Sequence, residues 1–202
     1  MTWVWNYTPG KVLAHADMDY LASEPFSGAD ALSNQPLSSN FSPPIFRSRA
    51  RLERFRKYHC PPIDTNPIID KTWQDIILKF VPAHRVQFFP VRLIAKGEIC
   101  DDYAWVIPFD RVRCIDIHRS KITSKIETPE ITLVFDAEEY AHVPGCLGGL
   151  HLARDEQQKS HMIISDGLRD ALAATGESNM FYRPEDVPTL FGKNSVVSAW
   201  RM

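Results

Sequence analysis

Along residues 99–122 the apolar positions alternate, so that Tyr103, Trp105, Ile107 and Phe109 fall on one face of an extended strand while Ala104 and Val106 make the other face nearly as apolar. Such a strand belongs inside a sheet with both sides covered. After Asp110 and Arg111 the pattern resumes at Val112, Cys114, Ile115 and Ile117, which predicts an antiparallel neighbour joined by a tight turn. Pro108 has no amide to give to a ladder and is expected at a strand end or an unpaired edge.

Elsewhere the period changes. Trp73, Ile76, Ile77, Phe80 and Val81 recur at i, i+3, i+4, i+7 and i+8, predicting a helix over 72–81 that opens on a Thr72/Asp75 capping box and stops at Pro82. Residues 84–95 read as a strand, with a break possible at Pro90, and Gly97 turns it toward the 99–109 strand. Leu52, Phe55 and Tyr58 at three-residue spacing among basic residues predict an amphipathic helix over 46–58. Residues 130–135 and 161–164 read as strands by their β-branched and aromatic content. Ser165 is placed to cap a helix whose Leu168, Ala171 and Leu172 face inward and which ends at Gly176; residues 180–182 add a last strand. Residues 3–7 suggest a short strand, whereas residues 8–44, rich in Ser, Pro, Asn, Gly and Ala, lack periodicity beyond a short helix near 17–22.

These elements give an α+β fold: one domain over 45–190, its mixed or antiparallel sheet flanked by helices, with an irregular N-terminal extension over 1–44 and a C-terminal tail over 191–202. At 202 residues the chain is long enough to bury roughly 70% of its unfolded surface without staples.

The net charge of -2 favours neither nucleic acid nor an anionic membrane, but its distribution is uneven. Residues 1–126 hold 17 Lys/Arg against 13 Asp/Glu, and residues 127–190 hold 4 against 12, so the C-terminal third presents an acidic face. Six Lys/Arg crowd into residues 47–57, where a solvated helix face accounts for them better than a nucleic-acid or membrane contact. No apolar run reaches the ~18 residues of a membrane span. Cys60, Cys100, Cys114 and Cys146 are widely spaced and no secretory leader precedes them, so they read as reduced, buried cysteines of a cytoplasmic protein.

Candidate chemistry is sparse. His142 and Cys146 are four apart, as ligands on a helix can be, but the Pro-Gly between them forbids a helix and no second short-spaced ligand pair exists. Gly145–Gly149 lacks the pattern of a phosphate cradle. Ser165 lacks a nucleophile elbow, and the adjacent acids Asp101-Asp102 and Glu138-Glu139 are better placed to solubilise than to share a proton. Asp116 is expected as a structural acceptor for loop amides; the alternative is an enzyme or small-ligand binder with a pocket near Asp116 and His118. No catalytic residue, cofactor or metal is therefore expected.

Three blocks carry a resemblance: Trp73–Val91, Tyr103–Ser120 with its Cys114-Ile115-Asp116 and trailing Ser120, and Ile163–Phe181 with its Ile-Ser-Asp-Gly-Leu and later Gly176. Together they resemble the bacterial immunity-protein-11 domain family, formerly a domain of unknown function, over roughly residues 40–188. The resemblance implies a cytoplasmic antitoxin that protects its producer by binding and occluding a cognate polymorphic or type VI-secreted toxin encoded nearby. It supplies no catalytic residue. On this reading the acidic surface of Asp101, Asp102, Asp136, Glu138 and Glu139 is the expected partner-binding surface, and Trp3, Trp5 and Trp200 offer a possible homodimer seam.

Overall fold

The computed structural model describes residues 1–5, the backbone of 18–21, and residues 35–38, 40–61 and 66–187. In chain order the elements are β1 (Thr2–Trp5), β2 (Met18–Leu21), β3 (Ile45–Ser48), α1 (Leu52–Phe55), β4 (Ile68–Asp70), α2 (Lys71–Ile77), β5 (Val86–Ala95), β6 (Glu98–Pro108), β7 (Arg111–Val112), β8 (Lys121–Glu127), β9 (Thr132–Glu139), β10 (Leu152–Asp155), β11 (Met162–Ser165), α3 (Asp166–Ala173) and β12 (Phe181–Tyr182). The α+β class expected from the sequence holds. The strands form two five-stranded sheets, β2-β3-β5-β6-β4 and β12-β1-β11-β10-β7, and a two-stranded ribbon β8-β9.

The first sheet is built on the β5–β6 hairpin. Its two-residue turn places Lys96 at φ 50 and Gly97 at φ 88, the left-handed pair that a tight hairpin requires and that glycine supplies without strain. β5 runs through Pro90, which pairs with Ala104, and the irregularity comes instead as a bulge between Val91 and Leu93. Along β6 the alternation is as the sequence predicts. Tyr103, Trp105 and Ile107 enter one core cluster, with Phe46, Leu52, Phe55, Ile68, Phe89 and Leu93, while Val106 enters the cluster on the other side. Pro108 ends the strand.

The expected antiparallel return over 112–117 does not form. Both edges of β6 are taken, by β5 and by β4, so the chain leaves this sheet at Phe109 and β7 joins the second sheet, parallel to β10. That sheet is centred on β1 and β11, paired antiparallel from Thr2 with Ser165 to Trp5 with Met162. β1, from the segment expected as an N-terminal extension, sits between β11 and β12, with Val4 and Trp5 fully buried. Residues 18–21, read as a short helix, form the edge strand beside β3.

The two sheets close on one another through α2 and α3. Trp73 and Ile77 of α2, Leu168 and Leu172 of α3, Val106 of the first sheet, and Trp5, Leu152, Met162, Ile164 and Phe181 of the second make one buried cluster. The cap of α2 is Asp70 rather than Thr72: its carboxylate accepts from Trp73 N at 3.1 Å and also meets His59 Nδ1 at 2.7 Å. Ser165 caps α3 as expected, accepting from Leu168 N at 3.3 Å, and Gly176 follows at φ 102. The basic segment 46–58 divides into strand β3 and the single turn α1, because the Ile45–Ser48 backbone pairs in parallel with Arg92–Ala95. Leu52 and Phe55 still face inward, and Arg47, Arg49, Arg51, Arg54, Arg56 and Lys57 stay exposed. Among the described residues no helix is long and apolar enough to cross a membrane.

Candidate functional site

The outer face of the second sheet carries the chemistry. Beyond β7 the chain runs beside residues 141–143: Asp116 N donates to Ala141 O at 2.8 Å, Val143 N to Cys114 O at 2.8 Å, and Ile115 bridges His142. Pro144 and Gly145 then make the corners of a turn closed by Cys146 N donating to Val143 O at 3.2 Å, with Gly145 at φ 73. This turn returns Cys146 to Cys114, and the two form a disulfide with a Cα–Cα distance of 5.1 Å. The reduced state expected for all four cysteines therefore holds only for the buried thiols Cys60 and Cys100. Because 32 positions separate Cys114 from Cys146, only the tertiary fold reveals the pairing.

His142 completes the group. The donor atoms of Cys114, His142 and Cys146 all lie within 4.8 Å of one another. Nδ1 of His142 is 3.1 Å from Thr2 Oγ1, and Nε2 is buried with no hydrogen-bond partner. The Pro-Gly that argued against helical ligand spacing is what brings His142 and Cys146 together.

Behind this group lies a buried polar layer. Arg154 and Asp155 are each 1% exposed, and Gln157 and Gln158 are also buried. Asp155 organises them: Oδ2 accepts from Cys114 N at 3.0 Å, and Oδ1 accepts from Gln157 N at 2.7 Å and Gln158 N at 3.1 Å. Burial pushes its carboxyl up to about 6, against the lowering effect of these amides. Arg154 donates to Lys159 O at 2.8 Å and Asn66 Oδ1 at 3.2 Å. His161 is fully buried against the Tyr140 ring, both its nitrogens without partners.

The half-buried His142 and the fully buried His161 make the fold acid-sensitive. Burial holds His142 down to about 4, and burial together with His142 holds His161 down to about 3. Depressed folded-state values mean that the unfolded chain takes up protons first, so stability falls as pH drops below about 6.5. Asp155 acts oppositely, since its raised value restores stability as pH falls through about 6. The balance is a loss of about 2 kcal/mol between pH 7 and pH 5. Urea midpoints at the two pH values measure it, and His161→Leu should flatten the acid limb; an unchanged slope would exclude His161 as the source.

A cavity of about 950 Å³ opens beside the same group, lined among others by His142, His151, Ser165 and Asp166. Ser165 Oγ is 2.8 Å from His151 Nδ1, but that hydroxyl is also the helix cap, and Asp166 Oδ1 accepts from Trp3 Nε1 at 2.8 Å. Asp116 and His118 do not line this cavity. Asp116 Oδ1 accepts from His118 N at 3.1 Å and Arg119 N at 3.2 Å, the amide-acceptor role expected of it, and His118 is exposed. The cavity does take in their neighbours Arg119 and Ala141.

The five expected interface acids fall on two separate elements. Asp101 and Asp102 lie on β6 and line a second cavity of about 520 Å³. Arg92 grips Asp101 through two 2.8 Å hydrogen bonds and holds its carboxyl below the usual range. Asp136, Glu138 and Glu139 lie on β9, where Lys121 Nζ pairs with Glu139 at 2.5 Å. The ribbon also leaves Ile126 54% and Phe135 46% exposed. Of the proposed dimer seam, Trp5 is core, Trp3 is half-buried under the Arg169 guanidinium 4.0 Å from its ring centroid, and Trp200, with the tail 191–202, lies outside the described residues.

In comparisons with known proteins, no family model matches the chain and no curated protein matches it.

Proposed function

We propose that the protein is an immunity protein that binds a cognate secreted toxin in the cytoplasm and neutralises it by occlusion. The observation that supports this reading is the β8–β9 ribbon, whose exposed Phe135 and Ile126 stand among the acids Asp136 and Glu138. An apolar anchor within a charged rim suits a protein partner, since anchors supply affinity and rim charges speed encounter.

The experiment is co-expression with the product of the adjacent reading frame. Rescue from toxicity and a stable purified complex are expected, with Phe135→Ala weakening the complex at least about tenfold. Toxicity that persists with no complex formed would remove the proposal.

A further inference from the structure

We propose that Cys114, His142 and Cys146 form a Zn²⁺ site that the Cys114–Cys146 disulfide closes and its reduction opens. Two thiolates and one imidazole are the donor set that zinc prefers, and the fourth tetrahedral position is left to water. The donor atoms lie within 4.8 Å of one another. A tetrahedral ion at the 2.0–2.3 Å bond lengths of zinc sets its ligand atoms about 3.5 to 3.8 Å apart, so small side-chain rotations after reduction bring all three into reach.

Three features of the fold support a built site rather than a chance encounter. The backbone of 114–116 is held against 141–143 by two 2.8 Å hydrogen bonds, which fixes two of the three ligands relative to one another. The Pro144-Gly145 turn fixes the third. Thr2 Oγ1 lies within hydrogen-bond reach of His142 Nδ1, and a bond at one ring nitrogen orients the imidazole and leaves the other for a metal. That other nitrogen, Nε2, is the buried one with no partner. Thr2 Oγ1 is the ring's hydrogen-bond partner among the described residues, which leaves Nε2 as the nitrogen that a metal would satisfy.

The exchange balances as follows. A dithiol reductant gives two electrons and two protons to the Sγ–Sγ bond, yielding two thiols and becoming a disulfide itself. Zn²⁺ then binds as the thiols release two protons. In the reverse direction a small-molecule disulfide oxidant takes two electrons from the thiolates and two protons from water, ending as two thiols. The Sγ–Sγ bond re-forms and Zn²⁺ leaves. In a reducing compartment the open state prevails, because disulfides there are kept reduced and cysteine clusters hold metal instead.

The test uses the full chain, reduced with a phosphine that does not chelate and compared with the oxidised chain. Co²⁺ alone is the first probe and Zn²⁺ the second. The reduced chain is expected to bind one Co²⁺ with thiolate charge-transfer absorption and the intensified visible bands of a four-coordinate ion, which Zn²⁺ then displaces. The oxidised chain, Cys114→Ser and Cys146→Ser should each bind at least about 100-fold more weakly, and His142→Ala at least about tenfold. A second measurement needs no variant: Zn²⁺ should slow alkylation of Cys114 and Cys146, but not of Cys60 and Cys100, in the reduced native chain. Absence of cobalt absorption in the reduced chain, or protection that falls on Cys60 and Cys100, would overturn the site and leave the disulfide as a purely structural bond.

Discussion

Trp73→Ala is expected to lower the unfolding free energy by about 3 to 5 kcal/mol, the range for removing a fully buried large aromatic side chain. Trp73 is completely buried and meets aromatic rings on several sides: Trp5 edge-on at 5.6 Å, Phe181 stacked at 5.9 Å and His59 stacked at 6.2 Å. Its indole Nε1 also donates to Thr175 Oγ1 at 2.9 Å, which ties α2 to the turn after α3. Alanine keeps the helix but leaves a cavity where the two sheets meet, and the residues around it come from three separate stretches of chain. Trp73→Phe should cost distinctly less, because the ring stacking is retained and only the indole bond and part of the volume are lost. Denaturant unfolding of the three proteins measures this series, and an alanine variant as stable as the parent would refute the packing.

The second large effect centres on Asp155. Asp155→Ala removes the one side chain that satisfies the Cys114, Gln157 and Gln158 amides in the buried layer. A buried donor left without an acceptor costs about 1 to 3 kcal/mol, so the variant is expected to lose about 3 kcal/mol or more. Asp155→Asn offers a sharper comparison. It retains an oxygen for the two glutamine amides but turns a donor toward Cys114 N, so it should fall between parent and alanine. The ordering parent, asparagine, alanine in chemical denaturation checks the argument; equal stability of all three would mean that water takes over the acceptor role.

Both effects bear on what the chain discloses before folding. The helix around Trp73 and the cap at Ser165 were legible because helical spacing and short-range capping are local signals. The β5–β6 hairpin was legible because Gly97 stands between two apolar runs. Strand β3 was not, since Leu52, Phe55 and Tyr58 at three-residue spacing suit a helix over the whole segment, and pairing with Arg92–Ala95 decided the matter from outside it. Strand β8, Lys121–Glu127, is polar and exposed, so it has neither apolar alternation nor burial to announce it. Strand β10 was hidden for the opposite reason: Arg154 and Asp155 carry no apolar pattern, yet both are buried, and they reach partners distant in sequence, Asn66 and Cys114. The His142 and Cys146 pair was legible by its spacing but set aside because Pro-Gly forbids a helix there, and Cys114 could not be joined to it because only the tertiary fold brings that residue alongside. Among the acids expected at an interface, the sequence located exposed carboxylates but not their cations, Arg92 and Lys121, which sit across a strand pair.

The placement of β1 has a consequence for how the molecule is made. Thr2–Trp5 is synthesised well before its partners, which are Met162–Ser165 on one side and Phe181–Tyr182 on the other. Val4 and Trp5 therefore wait, uncovered, until residues 162–182 have been translated, while the two strands of the β5–β6 hairpin follow one another directly. Nascent chains halted before residue 160 should leave this tryptophan-rich strand accessible to chaperones and proteases, and release past residue 182 should shelter it in a single step.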